Sequence, residues 1–277
     1  MTTLIIFAVV FGLGGYLARK QFESNSTVQT VAGRCSAADV RLDAEQMANA
    51  ATISAVGLRR GVNQRAIVIA LSVALQESRL RNLEHLGARN DHDSLGLFQQ
   101  RPSQGWGTAD QIMDQRYAAD RFYTALLKIK GWESMRVTDA AQRVQRSAYP
   151  QAYQRWAEDA DVLASAFAGK AQGVVTCSAD GKPKTATVDA IEQLLQRDFA
   201  RKAPKAIKEG QILRVPVNDA TTAWQFAHWL VAHSPALGIT TVTVPGRQWS
   251  PGKDAWQSTG DPTDNPAATH VTAQITG

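Results

Sequence analysis

The chain has 277 residues, of which 44% are hydrophobic and 20% are charged, a composition that excludes a disordered protein and allows two small domains. Its formal net charge of +5 at pH 7 predicts weak attraction to polyanions, namely nucleic acid, anionic lipid headgroups or an acidic cell wall. The chain has no run of Lys and Arg with interleaved aromatic residues, so we predict no nucleic-acid partner.

An uncharged apolar segment near the start of the chain, Leu4 to Ala18, is followed by Arg19 and Lys20. It is shorter than the roughly 20 residues of a spanning helix, so a signal-peptide core or a short signal anchor fits best. We predict that residues 1–20 anchor the protein in the cell membrane with its body on the cell-wall side, although the basic pair opposes this orientation under the positive-inside rule. One such segment excludes a transporter.

The region from Leu42 to about Gly169 is predicted to be almost wholly helical. Asp43 is a suitable N-cap for its first helix. Residues 63–80 form a second helix that is apolar on nearly every side, which indicates a position in the middle of a core. After a polar linker over residues 21–36, we therefore expect a mainly α domain over residues 37–172.

The pattern changes in residues 173–277, which predict a small α+β domain of two helices and two or three strands. His228 and His233 are five residues apart, a poor spacing for one helical face, and are predicted to be ordinary surface or core residues. Four tryptophans are either core residues or a face that stacks on sugar or binds a cell-envelope protein: Trp224, Trp229, Trp249 and Trp256. The predicted fold is thus a mainly α domain followed by a small α+β domain, with an N-terminal apolar anchor.

Two cysteines, Cys35 and Cys177, flank the helical region as if closing it at its base. In an exported protein this placement suggests one disulfide, which would stabilise the fold by restricting the unfolded chain. The alternative is two unrelated buried thiols. Neither cysteine has a histidine partner nearby in sequence, so a catalytic cysteine is not expected.

A single carboxyl group at the end of the apolar helix is the main candidate for chemistry. Glu77 lies in Gln76-Glu77-Ser78, where desolvation and the negative helix end both predict a raised pKa for its carboxyl group. A carboxyl group with a raised pKa can act as a general acid at neutral pH. The alternative is that Glu77 only pairs with a nearby cation at the helix end.

A segment rich in amide groups follows shortly downstream, with the sequence Ser94-Leu95-Gly96-Leu97-Phe98-Gln99-Gln100. Gly96 permits close approach of the backbone, and Gln99 and Gln100 supply donors and acceptors for hydroxyl and N-acetyl groups. The segment therefore predicts a sugar-binding wall beside the acid.

The two motifs, Gln76-Glu77-Ser78 and Ser94-x-Gly96-Leu97-Phe98-Gln99, together resemble the motif pair of soluble lytic transglycosylases and goose-type lysozymes. The stretch from about residue 49 to residue 160 also resembles an exported, lysozyme-like family of actinobacterial cell-envelope proteins. The resemblance implies a lysozyme-like fold for residues 37–172. It also implies that the edge of a saccharide cleft is formed by Ser94, Gly96, Leu97, Gln99 and Gln100.

The resemblance implies cleavage of the MurNAc–GlcNAc bond of peptidoglycan, with Glu77 as general acid and base. A transglycosylase needs one carboxyl group, whereas hydrolysis usually needs a second, for which Asp91 and Asp93 are available. Asp93 is either part of the site or a turn and capping residue. The Tyr-Asn-x-Gly segment that lines the cleft in many transglycosylases is missing. In the comparable region, Tyr149 either supplies a hydroxyl group to the cleft or only packs against the protein.

The sequence shows no zinc-ligand spacing, phosphate-binding glycine loop or serine elbow, so we predict no metal and no cofactor. Two function classes stay open. The first is an anchored enzyme that cleaves peptidoglycan glycan strands, as a lytic transglycosylase or a muramidase. The second is a non-catalytic peptidoglycan-binding or cell-envelope scaffolding protein. Glu77 with its Gln-rich wall favours the enzyme, whereas residues 173–277 favour an assembly role with a cell-envelope partner.

Overall fold

The computed structural model describes residues 33–84, 93–179, 185–260 and 270–276. These residues form one compact unit. The helices of the described residues are α1 Ala44–Arg60, α2 Gln64–Ser78, α3 Ala109–Met113, α4 Gln115–Leu126, α5 Val137–Gln145, α6 Ala157–Phe167, α7 Val188–Phe199 and α8 Ala220–Leu237. Short 3-10 turns lie at Pro102–Gln104, Trp132–Ser134, Gln154–Trp156 and Ala200–Lys202.

The strands form two separate sheets. Their bounds are β1 Gly33–Ala37, β2 Val40–Asp43, β3 Val175–Ala179, β4 Ile207–Glu209, β5 Ile212–Pro216, β6 Ile239–Val244, β7 Arg247–Trp249, β8 Gln257–Ser258 and β9 His270–Ile275. The smaller sheet has the order β2-β1-β3, and the larger has the order β4-β5-β9-β6-β7-β8. All of the strand pairs are antiparallel.

Local sequence explains why α1 and α2 begin and end where they do. The Asp43 side chain accepts from the backbone N–H of Gln46, and the Gln46 side chain accepts from the Asp43 backbone, which completes a capping box at the start of α1. Gly61 ends α1 in the left-handed conformation. Asn63 caps α2, and Arg79 ends it in the same left-handed conformation. Between these caps, residues 66–75 of α2 are buried, so the helix that carries Glu77 runs through the core.

The disulfide predicted from the sequence is confirmed, because Cys35 on β1 and Cys177 on β3 are bonded with an S–S distance of 2.02 Å. They face each other directly in the register of the two strands. The bond joins the start of the helical region to its end, 142 residues later. The large loop that it closes contains α1 to α6 and the candidate site.

The predicted fold class, a mainly α domain followed by a small α+β domain with an N-terminal apolar anchor, is wrong. The described chain begins with β1, which lies partly in the predicted linker and pairs with both β2 and β3, so a sheet closes the helical region. The strands of this sheet do alternate between inward and outward residues, but each alternation lasts only four or five residues, the lower limit of a detectable strand pattern.

None of the helices in the described residues has the length and apolarity needed to cross a membrane. Residues 1–20, for which the sequence predicts the anchor, lie outside the described residues. The predicted domain boundary at residues 172 and 173 falls between α6 and β3.

The helical region and the C-terminal residues share a buried polar cluster centred on Asp198 of α7. Its fully buried carboxylate accepts hydrogen bonds from Thr52 on α1 (3.1 Å) and from the Trp229 indole on α8 (2.7 Å). Arg116 on α4 forms a salt bridge with the same carboxylate. Four different helices are therefore held together at one buried point.

Two histidines and four tryptophans of the C-terminal residues are core residues. His228 and His233 are both buried on α8, and their Nδ1 atoms contact the backbone carbonyls of Ala166 and Trp229. The four tryptophans named above are at most 7% exposed. The structure therefore does not give them a sugar-stacking face.

Candidate active site

A cleft with a volume of about 950 Å³ lies across the helical region. Its walls come from the end of α2, from the segment after residue 93, from α4 and from the end of α5. The residues that line it are Glu77, Ser94, Gln99, Gln100, Arg101, Gln104, Gly105, Trp106, Arg121, Thr124, Ala125, Lys128, Ile129, Arg143, Val144, Gln145, Arg146, Ser147, Ala148 and Tyr149.

Glu77 lies in the last turn of α2 and is half-buried at the cleft wall. Of the described residues that line the cleft, it is the single carboxylate. Its Oε1 accepts a hydrogen bond of 2.7 Å from the hydroxyl group of Tyr153. Among the described residues, Tyr153 is the one side chain that donates a hydrogen bond to Glu77.

Tyr153, the residue that orients Glu77, is not among the site residues predicted from the sequence. Its side chain is fully buried. Burial raises the pKa of the Tyr153 hydroxyl above its usual range, and the hydrogen bond to Glu77 raises it further. Tyr153 therefore stays neutral and keeps donating to the carboxylate. The sequence signal that could have found it is its place in the Ser147 to Tyr153 stretch, where Tyr149 was the residue predicted.

The predicted Tyr149 lies at the cleft rim and is 75% exposed. Its aromatic ring is thus presented to solvent and to any ligand in the cleft, and its packing against the protein is slight. No hydrogen bond joins its hydroxyl group to Glu77 among the described residues. Tyr149 and Tyr153 therefore occupy different places, one at the cleft mouth and one behind the acid.

A second set of contacts holds Tyr153 against the end of α2. The Gln76 side-chain oxygen accepts hydrogen bonds from the Trp156 indole (2.9 Å) and from Arg155 (2.8 Å). The Arg79 guanidinium lies over the Trp156 ring at 4.3 Å. The turn that follows Tyr153 is thereby fastened to the residues on both sides of Glu77.

The segment from Ser94 to Gln100 forms a tight loop that is tied to α2. Leu95 and Gln100 pair through two backbone hydrogen bonds of 2.9 and 3.0 Å. The Ser78 hydroxyl, directly after Glu77, donates to the carbonyl of Leu97 at 2.8 Å. The loop therefore has a fixed position relative to the acid.

The predicted wall residues divide into two groups. Ser94, Gln99 and Gln100 line the cleft, whereas Gly96 and Leu97 do not. Leu97 is fully buried. Gly96 has a φ of +71°, and a Cβ atom there would lie 2.9 Å from the carbonyl oxygen of Ile112, so this position requires glycine for loop packing.

Asp93 lies outside the cleft lining and caps the turn that follows the loop. Its two carboxylate oxygens accept from the backbone N–H and the hydroxyl group of Ser103, both at 2.8 Å. These hydrogen bonds lower the pKa of Asp93. This geometry is that of a turn-capping residue. The other predicted carboxylate, Asp91, lies outside the described residues.

Among the described residues, no group of three or more His, Cys, Asp or Glu side chains is placed to hold a metal ion. Comparison with known proteins adds no family. No family model matches this chain, and no curated protein matches it in sequence. The resemblance to lysozyme-like enzymes stays a prediction that rests on the motifs quoted above.

Proposed function

We propose that this protein cleaves the glycan strands of peptidoglycan, with Glu77 as general acid and base. The observation that carries the proposal is the pairing of Glu77 with Tyr153 at the wall of a large open cleft. Glu77 is the one carboxylate in the described lining, and a buried hydroxyl group fixes one of its oxygens. The other oxygen is left for proton transfer.

The side chains that line the cleft are of the types that bind sugars. A volume of about 950 Å³ is at the upper end of the range for small-ligand sites and holds several sugar rings. Amide side chains from Gln99, Gln104 and Gln145 offer donors and acceptors to hydroxyl and N-acetyl groups. Trp106 and Tyr149 place aromatic rings along the same cleft, suited to packing against the apolar faces of sugar rings.

The arrangement of carboxylates favours transglycosylation over hydrolysis. Asp93 is engaged by Ser103 and does not line the cleft, so the described site offers one carboxyl group. Protonated Glu77 donates its proton to the glycosidic oxygen, and the bond to the sugar breaks. The resulting carboxylate then takes the proton of the C6 hydroxyl group of the same sugar. As it does so, the C6 oxygen forms a bond to C1, where the glycosidic bond has broken. The products are a 1,6-anhydro sugar and a strand with a new free hydroxyl end.

The disulfide supports a location on the cell-wall side, because such bonds persist in oxidising compartments and are rare in the cytosol. This location would bring the cleft to its proposed substrate.

Mass spectrometry of purified peptidoglycan after incubation with the full chain tests the proposal. We expect anhydro-muropeptides with the wild-type protein and none with Glu77→Gln. Glu133→Gln is the matched control, because Glu133 is exposed on a 3-10 turn and does not line the cleft. New reducing ends would indicate hydrolysis instead. Unchanged glycan together with retained binding would contradict the enzyme proposal and favour the non-catalytic binding protein.

A further inference from the structure

The cleft has an unusual charge for a site that binds neutral sugar. Among the described residues, five cationic side chains line it, against the one carboxylate of Glu77: Arg101, Arg121, Lys128, Arg143 and Arg146. A sugar ring with only hydroxyl and N-acetyl groups gives these cations nothing of opposite charge to bind.

The five cations come from three separate segments. Arg101 follows the Ser94 to Gln100 loop, Arg121 lies on α4 with Lys128 just beyond its end, and Arg143 and Arg146 lie at the end of α5. They are therefore not one charged face of a surface helix. The fold brings them together around a concave space, where like charges reinforce one another and attract anions.

None of the five forms a salt bridge with a described carboxylate, although seven other cations of the described chain do so: Arg59, Arg60, Arg81, Arg116, Arg136, Lys208 and Arg214. Two acids that interact electrostatically with cleft cations are already engaged by other groups. Asp139, one helical turn from Arg143, pairs with Arg136. Asp93, close to Arg101, accepts its hydrogen bonds from Ser103.

Two of these arginines make only one hydrogen bond each to another described residue, which leaves further guanidinium donors for a ligand. Arg101 donates one hydrogen bond to Ser94, and Arg121 donates one to the carbonyl of Gly105. The Nε of Arg121 and the Oε1 of Gln100 are buried without a hydrogen-bond partner among the described residues. Guanidinium groups bind carboxylate and phosphate with two parallel hydrogen bonds, which is stronger and more selective than a contact with a neutral hydroxyl group.

We propose that the cleft selects glycan strands that carry anionic groups, carboxylate or phosphate, beside the bond that Glu77 attacks. Amide and aromatic side chains hold the sugar rings, and the five cations hold the charges attached to them. This inference rests on the proposed function for its placement next to Glu77. The binding it predicts can be measured without any cleavage.

Calorimetric titration of the full-length Glu77→Gln variant with two matched pairs of ligands tests the inference. The first pair is glycan strands of alternating GlcNAc and MurNAc with free lactyl carboxylates, and the same strands with those carboxylates converted to methylamides. The second pair is chitohexaose with and without a 6-phosphate group. We expect the charged member of at least one pair to bind on the order of tenfold more tightly. The pair with the larger ratio of charged-ligand to neutral-ligand affinity shows whether carboxylate or phosphate is the preferred group.

Removal of cleft cations should weaken this preference. In the Glu77→Gln background we expect Arg143→Gln with Arg146→Gln to weaken charged-ligand binding on the order of tenfold and to leave neutral-ligand binding unchanged. Arg201→Gln with Lys202→Gln is the matched control, because it removes two exposed charges that do not line the cleft. Raising NaCl from 50 to 500 mM should reduce the preference as well.

The outcomes separate this inference from the proposed function. If wild-type protein releases anhydro products and Glu77→Gln binds charged and neutral ligands equally, the charge selection is wrong and the enzyme proposal stands. If no glycan is cleaved but charged ligands bind more tightly in a manner that depends on Arg143 and Arg146, the enzyme proposal fails and the anion site stands.

Discussion

Tyr153→Phe tests whether the hydroxyl group behind Glu77 positions the acid. The substitution removes one oxygen and keeps the ring, so the packing of this fully buried side chain is preserved and no large cavity forms. The Glu77 Oε1 atom loses its 2.7 Å hydrogen bond and, because Glu77 is half-buried at an open cleft, solvent can replace it.

The expected loss of activity follows from the strength of that contact. A hydrogen bond to an ionisable group contributes about 1.5 to 3 kcal/mol. If it holds Glu77 in place for proton transfer, its loss slows cleavage roughly tenfold to a hundredfold. The assay is the initial rate of anhydro-product release, with the melting temperature of each variant measured in parallel.

Tyr123→Phe is the matched control, since Tyr123 is also fully buried and its hydroxyl group donates to the backbone carbonyl of Ile53 at 3.0 Å. We expect it to lower stability slightly and to leave the rate unchanged. A wild-type rate in Tyr153→Phe, or equal rate losses in the two variants, would refute a positioning role for Tyr153.

Two further predictions concern stability. Replacing Cys35 and Cys177 together by serine should lower the free energy of unfolding by roughly 3 to 5 kcal/mol, because the disulfide spans 142 residues of chain. Chemical denaturation measures this loss, and an unchanged denaturation midpoint would contradict the prediction. Burial lowers the pKa of His228 from 6.5 to about 4. Between pH 4 and pH 6.5, therefore, the unfolded chain binds a proton at His228 that the folded chain does not bind. Stability should therefore be full above pH 6.5 and fall by roughly 3 kcal/mol as the pH drops to 4. His228→Gln, which can still donate to Ala166, should flatten this dependence, and a variant with the full wild-type slope would contradict the assignment.

The sequence predicts those parts of the fold that depend on local signals. The start of α1 was predicted from Asp43, and α2 was predicted from the apolar pattern of residues 63–80. Both predictions were possible because N-caps and helical periodicity depend on residues that are close together in the sequence. Glu77 was predicted as the candidate acid for a similar reason, as the carboxylate at the end of a helix that is apolar all round, and the structure places it in the cleft wall. The Cys35–Cys177 pair could be predicted because the chain has no other cysteine.

The missed features depend on contacts between distant segments. Tyr153 meets Glu77 across 76 residues, and nothing near Tyr153 in sequence distinguishes it from Tyr149. The cations of the cleft are spread over three segments, so their common location appears only after folding. The resemblance placed Gly96 at the edge of the cleft, whereas in the structure Gly96 packs against the backbone of Ile112 and does not line the cleft.

The buried cluster around Asp198 determines how the cleft can be handled in experiments. A chain that ends after residue 172 would lack Asp198 and Trp229. Arg116 would then have no counterion, and the side of α1 that packs against these residues would be uncovered. Removing the residues that cover this side of α1 would expose its buried apolar side chains to water, which costs free energy in proportion to the area uncovered. The helices that form the cleft therefore share their core with the C-terminal residues, and we expect a chain cut after residue 172 to be much less stable than the full chain.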